Sequence, residues 1–158
     1  MFDRLRFEIT FKDESQLEEK LNFCKLNGIN NINIPCKGNI KKEFLNYTFN
    51  YINQNYQRLN VVYHYSLFHQ YSRNKKNSYE ELLKFINKCN PNTNYEVLLI
   101  SGSTKKKDFD VINVLPFLKN EKNLKIKFGI AYNPYLKKHF NVSSERESYE
   151  KKNIFKFS

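Results

Sequence analysis

The chain has 158 residues, with 27 Lys+Arg against 16 Asp+Glu, a formal net charge of +11 and a pI near 9.5. Hydrophobic residues at 40% and aromatics at 16% exclude a disordered tail or a collagen-like chain, which lack the apolar area to offset chain entropy. At ~100–200 residues per domain, positions 1–158 are expected to form one domain with a sizeable core.

The basicity is weak grounds for nucleic-acid binding. Of the 27 basic residues 22 are Lys, Asn occurs 23 times and Ala once, a skew that points to codon usage along the whole chain rather than to one charged surface. No apolar run approaches the ~18–20 residues that span a bilayer. Charges within Met1–Arg6 stand where a signal peptide needs its apolar stretch, so a cytoplasmic protein with no membrane segment is expected. Cys24, Cys36 and Cys89 are odd in number and lack C-x-x-C spacing, which favours buried thiols over a disulfide framework or a zinc site.

In chain order, Leu5 to Phe11 alternates apolar and polar residues and predicts a strand. Ser15 with Glu18 is a capping-box signature for a helix bearing Leu17, Leu21 and Cys24, with Gly28 as its stop. Ile32, Ile34 and Cys36 alternate as a second strand, and Phe44, Tyr47 and Tyr51 mark one face of a helix from about residue 41 to 54. Asn60 to Leu67 is β-rich, Ser78 with Glu81 predicts a helix start before Leu82, Leu83, Ile86 and Cys89, and Pro91 ends that helix. Tyr95 to Ile100 reads as a buried parallel strand. Phe109, Ile112, Leu115 and Leu118 have helical spacing, with Pro116 implying a kink or a start at Leu115. Lys125 to Tyr132 alternates as a fifth strand, and Ser144 with Glu147 predicts a last short helix.

Strand starts near 5, 31, 60, 95 and 125 recur at roughly thirty residues with a helix in each gap, which predicts an α/β fold with a parallel sheet of repeated βα units. A full eight-unit barrel needs ~200–250 residues, so an open doubly wound sheet and an incomplete TIM (β/α)8 barrel both remain. Neither G-x-G-x-x-G after the first strand nor G-x-x-x-x-G-K-[ST] is present, which lowers the first option.

Ligand sites in such sheets lie beyond the carboxyl ends of the strands, so polar residues there are the informative ones. Glu8 lies on the polar face of the first strand, as a proton donor in a partly dry site or as a structural ion pair with Arg6 or a Lys. His64 shares a face with Val62 and Ser66, as a ligand contact or as a satisfied core histidine. His69 and His139 fall in loops and read as surface residues, and the three histidines make no metal-binding spacing. Ser101-Gly102-Ser103-Thr104 with the lysines behind it is either a phosphate-receiving loop or a solvated turn. Ala131-Tyr132-Asn133-Pro134-Tyr135 offers two aromatics and an amide at a strand exit.

Taken in order, Phe7-Glu8-Ile9, Gly28-Ile29 leading into Ile32-Asn33-Ile34, Val62-Tyr63-His64-Tyr65-Ser66, Leu98-Leu99-Ile100-Ser101-Gly102-Ser103 and Ile130-Ala131-Tyr132-Asn133-Pro134-Tyr135 resemble the methylenetetrahydrofolate reductase family, over nearly the whole chain. Glu145-Arg146-Glu147 through Lys151-Lys152 is similar to that family's next helix. The resemblance implies a flavin enzyme on a (β/α)8 barrel that passes a hydride from NAD(P)H through FAD to a folate substrate. It makes Glu8 the catalytic acid and puts His64 beside the flavin. Ser101, Gly102 and Ser103 fall where the family usually has Arg-Gly-Asp, with Ser103 replacing the aspartate. Ala131, Tyr132 and Asn133 would line the FAD-binding strand end, and Lys151 or Lys152 would stand for a helix lysine that reaches the cofactor.

Two departures qualify the resemblance: Thr10-Phe11-Lys12 stands in place of the diproline that often follows the strand-one glutamate, and units six to eight are missing. A five-unit sheet exposes its first and fifth strands as edges, which predicts a homo-oligomer or a partner chain covering them. Three functions therefore compete: a divergent FAD-dependent reductase, a catalytically inactive relative that binds a ligand or regulates a full-length enzyme, and a basic nucleic-acid-binding module. The last ranks lowest, because the five arginines are dispersed.

Overall fold

A computed structural model describes residues 5–35, 42–89, 91–101 and 109–131. Strands and helices alternate as β1 (Phe7–Glu8), α1 (Glu14–Leu26), β2 (Asn31–Ile34), α2 (Lys42–Asn55), β3 (Asn60–Ser66), α3 (Lys75–Cys89), β4 (Tyr95–Ile100), α4 (Val111–Asn120) and β5 (Lys127–Ile130). The five strands form one parallel sheet in the order β1-β2-β3-β4-β5. That order has no reversal, so the strand order of a doubly wound sheet does not occur in it. Right-handed crossovers then put all four helices on the same face.

Alternation along the strands sorts the side chains between the faces. Ile32, Ile34, Val61, Tyr63, Tyr65, Tyr95, Val97 and Leu99 turn toward the helices and are buried. Leu17, Leu21, Ile52, Leu82, Ile86, Val114 and Leu118 meet them from the helices, completing the core. At its centre Phe49 of α2 and Phe85 of α3 close on Tyr63 and Tyr95, with ring centroids 5.4–6.4 Å apart and mostly edge-on. Such geometry sets the positive ring edge against the negative face of its neighbour.

Helix starts differ from the sequence expectation. Asp13, not Ser15, caps α1: its carboxylate accepts from the Gln16 N–H at 2.9 Å, and the Gln16 side chain returns a bond to the Lys12 N–H at 3.1 Å. In α3 the Asn74 side chain accepts from the Asn77 N–H, which moves the start upstream of Ser78. Ser78 is instead buried inside the helix, its hydroxyl bonding back to the Ser72 and Asn74 carbonyls. Gly28 ends α1 as expected, with φ of 65° in the left-handed region and the Ile29 N–H returning to the Cys24 carbonyl.

The α4 helix runs through Pro116 without starting at it, because Asp110 caps the helix six residues earlier and Leu115 and Leu118 are buried either side of the proline. The Asp110 carboxylate accepts from the Asn113 N–H at 2.8 Å, and the Ser101 hydroxyl accepts from the Val111 N–H at 3.1 Å. Asp110→Ala should therefore lower stability by about 1 kcal/mol, read as a fall in the urea midpoint at unchanged slope. The β1 ladder is two residues long rather than the seven of Leu5–Phe11, although the Ile9 N–H still reaches the Asn33 carbonyl at 2.9 Å. The strand ending β5 stops at Ile130, and the expected helix over 144–152 lies outside the described residues. Among the described residues no helix is long and apolar enough to cross a membrane.

Candidate functional site

The sheet face opposite the helices carries the remaining strand side chains. Register places Glu8, Asn33, Val62, Glu96 and Lys127 in one row across the five strands, His64, Leu98 and Gly129 in the next, and Ser66 and Ile100 in the row nearest the carboxyl ends. Glu8 and Lys127 are exposed, Asn33, Val62, Glu96, Leu98 and Ile100 are half-buried, and His64 and Ser66 are 9% and 2% exposed. The face thus has an apolar floor of Val62, Leu98 and Ile100 with a few polar groups set into it, the composition of a small-molecule site. Gly129 keeps the floor shallow beside β4, since a Cβ there would come within 3.0 Å of Leu98 Cδ1.

At the amino ends of the strands, the Arg6 guanidinium reaches Glu96 at 3.8 Å and the Asn60 carbonyl at 3.4 Å. One side chain from the β1 end thus bridges to Glu96 of the first row on β4. Glu8 and His64 are two strands and two residues apart, which at ~4.8 Å per strand and ~3.3 Å per residue sets their Cα atoms about 12 Å apart. Asn33 lies on the strand between them. Its Oδ1 is buried with no hydrogen-bond partner, a costly state that a donor on a ligand would relieve. Asn33→Val should therefore raise stability by about 1 kcal/mol, measured as a higher urea midpoint. A variant less stable than wild type would show the amide to be holding the sheet together instead.

The predicted site residues divide accordingly. Glu8 and His64 share this face, and Glu8 is exposed rather than set in a partly dry pocket. Ser101 follows β4, but its hydroxyl already accepts from the first turn of α4, a capping role that sequence reasoning did not assign to it. Ala131 follows β5, is exposed, and continues the ladder through its N–H to the Leu99 carbonyl at 3.2 Å. Gly102, Ser103, Tyr132, Asn133, Lys151 and Lys152 lie outside the described residues.

Two groups were not anticipated. Asn33 was legible only as one more polar strand residue until its register between Glu8 and Val62 was known. His69 is exposed as expected for a loop, yet its Nδ1 lies 2.8 Å from the Ser66 hydroxyl. The three-residue spacing after a strand end was the available signal for that pair. A separate groove of about 450 Å³ lies between α2 and α3, with Tyr65, Gln70 and Phe85 among its lining residues. It belongs to the helix-covered side, and its lysines are engaged, Lys84 with Glu81 at 3.3 Å and Lys88 with Asn46 at 2.8 Å. Comparison of the chain with protein-family models, curated proteins and solved structures found no match.

Proposed function

We propose that the chain forms the first five βα units of an incomplete TIM (β/α)8 barrel and belongs to a divergent flavin-dependent reductase, similar to the methylenetetrahydrofolate reductases. One observation carries this reading: a consecutively ordered parallel sheet whose face opposite α1 to α4 sets Glu8, Asn33 and His64 around the apolar floor of Val62, Leu98 and Ile100. A flat heteroaromatic ring needs apolar contact on its face and hydrogen-bonding groups at its edge, and this face supplies both.

The residues present fit such a ring. The unsatisfied Asn33 Oδ1 is an acceptor suited to a ring N–H, and His64 stands one row above it toward the strand ends. A bound FAD would supply hydride transfer between NAD(P)H and a folate, chemistry that side chains alone do not perform. The chain's own contribution is to hold the ring against the floor and to present the Glu8 side chain where a substrate can reach it, as the group through which a proton would pass.

The visible absorbance of the purified chain, taken before and after incubation with FAD and desalting, tests the proposal. A flavin band that survives desalting is expected, and a colourless protein overturns it. The outer edge of β5 favours a second reading, an inactive relative that binds a larger enzyme: no strand among the described residues pairs beyond it. Co-purification of a longer homologue with a colourless chain would support that reading, and a lone monomer would count against it.

A further inference from the structure

Ser66 closes β3 on the same face as His64 and is almost fully buried. Its Oγ lies 2.8 Å from His69 Nδ1 and accepts the His69 backbone N–H at 3.3 Å. A hydroxyl has one hydrogen and two acceptor sites, and a neutral imidazole has one N–H and one bare nitrogen. The backbone N–H takes one acceptor site of Ser66, which leaves a lone pair that can accept from an Nδ1–H and a hydrogen that can be donated to a bare Nδ1. Donation by Ser66 makes Nδ1 the acceptor and keeps the ring proton on Nε2. The ring is exposed and braced by Phe68, with centroids 4.9 Å apart at 70°. Because Ser66 belongs to the face opposite α1 to α4, a ring tethered to its hydroxyl sits at the carboxyl rim of that face, with Nε2 on the side away from the tether.

We infer that His69 is a ligand-facing hydrogen-bond donor of the strand-end site and that Ser66 is the positioning residue that fixes which nitrogen it presents. The inference rests on the reading of this face as a heterocycle site and adds a donor to it. Asn33 is level with Val62, four residues before Ser66, so it and His69 would meet separate parts of a ligand, and the part that reaches His69 carries a carbonyl oxygen or an unprotonated nitrogen. Neither role was assigned by the strand-end positions predicted from sequence.

Long-range proton–nitrogen spectra of the whole chain labelled with nitrogen-15 histidine test the pair without any ligand. At alkaline pH, where imidazole is neutral, His69 Nδ1 is expected to be unprotonated and shifted as a hydrogen-bonded acceptor. Ser66→Ala should move that resonance toward the free-imidazole position, and Ser66→Thr, which keeps the hydroxyl, should restore it. A protonated Nδ1, or a resonance indifferent to Ser66→Ala, overturns the positioning role whatever the chain binds.

FAD titrated into the same sample supplies the second measurement. His69 ring signals should move on binding, and His69→Phe, which keeps a ring beside Phe68 but has no donor, should weaken FAD binding about fivefold to tenfold. Equal FAD affinity in wild type and His69→Phe overturns the ligand-facing role and leaves the flavin reading standing. No FAD binding in either overturns the flavin reading and the ligand-facing role with it, while the nitrogen resonance still decides the role of Ser66.

Discussion

Tyr63→Ala is expected to destabilise the fold by about 3–5 kcal/mol, the cost of emptying an aromatic site that the surroundings cannot refill. Tyr63 is fully buried and touches the rings of Phe49, Phe85 and Tyr95, so it joins β3 and β4 to both central helices. Tyr63→Phe is expected to be neutral or to stabilise by up to about 1 kcal/mol, since the hydroxyl it removes is buried with no hydrogen-bond partner. Urea unfolding of both variants checks the pair of results. A Tyr63→Phe loss as large as the alanine loss would show that the hydroxyl matters more than the ring.

Alkaline pH should act on the same residue. Burial, with the Tyr95 hydroxyl beside it, pushes the Tyr63 phenol well above its ordinary 10.0, and burial lifts the Cys89 thiol from 9.0 to about 12. The unfolded chain therefore releases these protons at lower pH than the folded chain does. The stability linked to them is complete below the unfolded values and is lost as pH rises from there through the folded ones. The urea midpoint should fall above about pH 9–10, and Tyr63→Phe should flatten part of that fall.

Glu8→Gln carries the second large effect. If the chain works as the proposed reductase, with whatever partner completes it, this change should lower folate reduction by about 10²–10⁴-fold, the usual contribution of a positioned acid. FAD retention should be unchanged, because the amide keeps the shape of the carboxyl and Glu8 is exposed at the end of the row rather than set in the floor. Full turnover in the variant would remove Glu8 from the chemistry. Lost FAD retention would make it a binding group instead.

Element types were legible from period and from apolar runs, but the run Tyr95–Ile100, expected to be buried on both faces, alternates buried and half-buried residues, with β3 beside its whole length and β5 beside Glu96–Leu99. Alternation overran the pairing at β1: Ile9 and Phe11 are buried beyond the two-residue ladder and Leu5 is exposed, so the pattern past Glu8 records packing rather than ladder pairing. Caps were misplaced for a related reason. Ser15 and Ser78 satisfy a three-residue spacing that a polar helix contains by chance, while the side chains that bond the free N–H groups are Asp13 and Asn74.

The site was half legible. Alternation alone put Glu8, His64 and Ser66 off the apolar face, but their relation to one another depends on register, which brings Asn33 level with Glu8 and sets His64 one row higher. The Ser66–His69 bond depends on the turn after β3, where the chain doubles back through a Gln70 N–H to Ser66 carbonyl bond at 3.0 Å. No periodicity encodes such a turn.

Strand order also bears on how the molecule assembles during synthesis. Each strand pairs only with its predecessor and successor, at separations of 25 residues for Phe7 and Ile32, 29 for Asn31 and Asn60, 34 for Val61 and Tyr95 and 31 for Glu96 and Lys127. No strand waits for a distant one, so every ladder closes a loop of similar size and similar entropy cost. As the chain leaves the ribosome, β2 can dock on β1 before β3 exists, and each later strand finds its template already laid down. The growing edge is then always the newest strand, and the hazard of pairing with a neighbouring nascent chain travels with it.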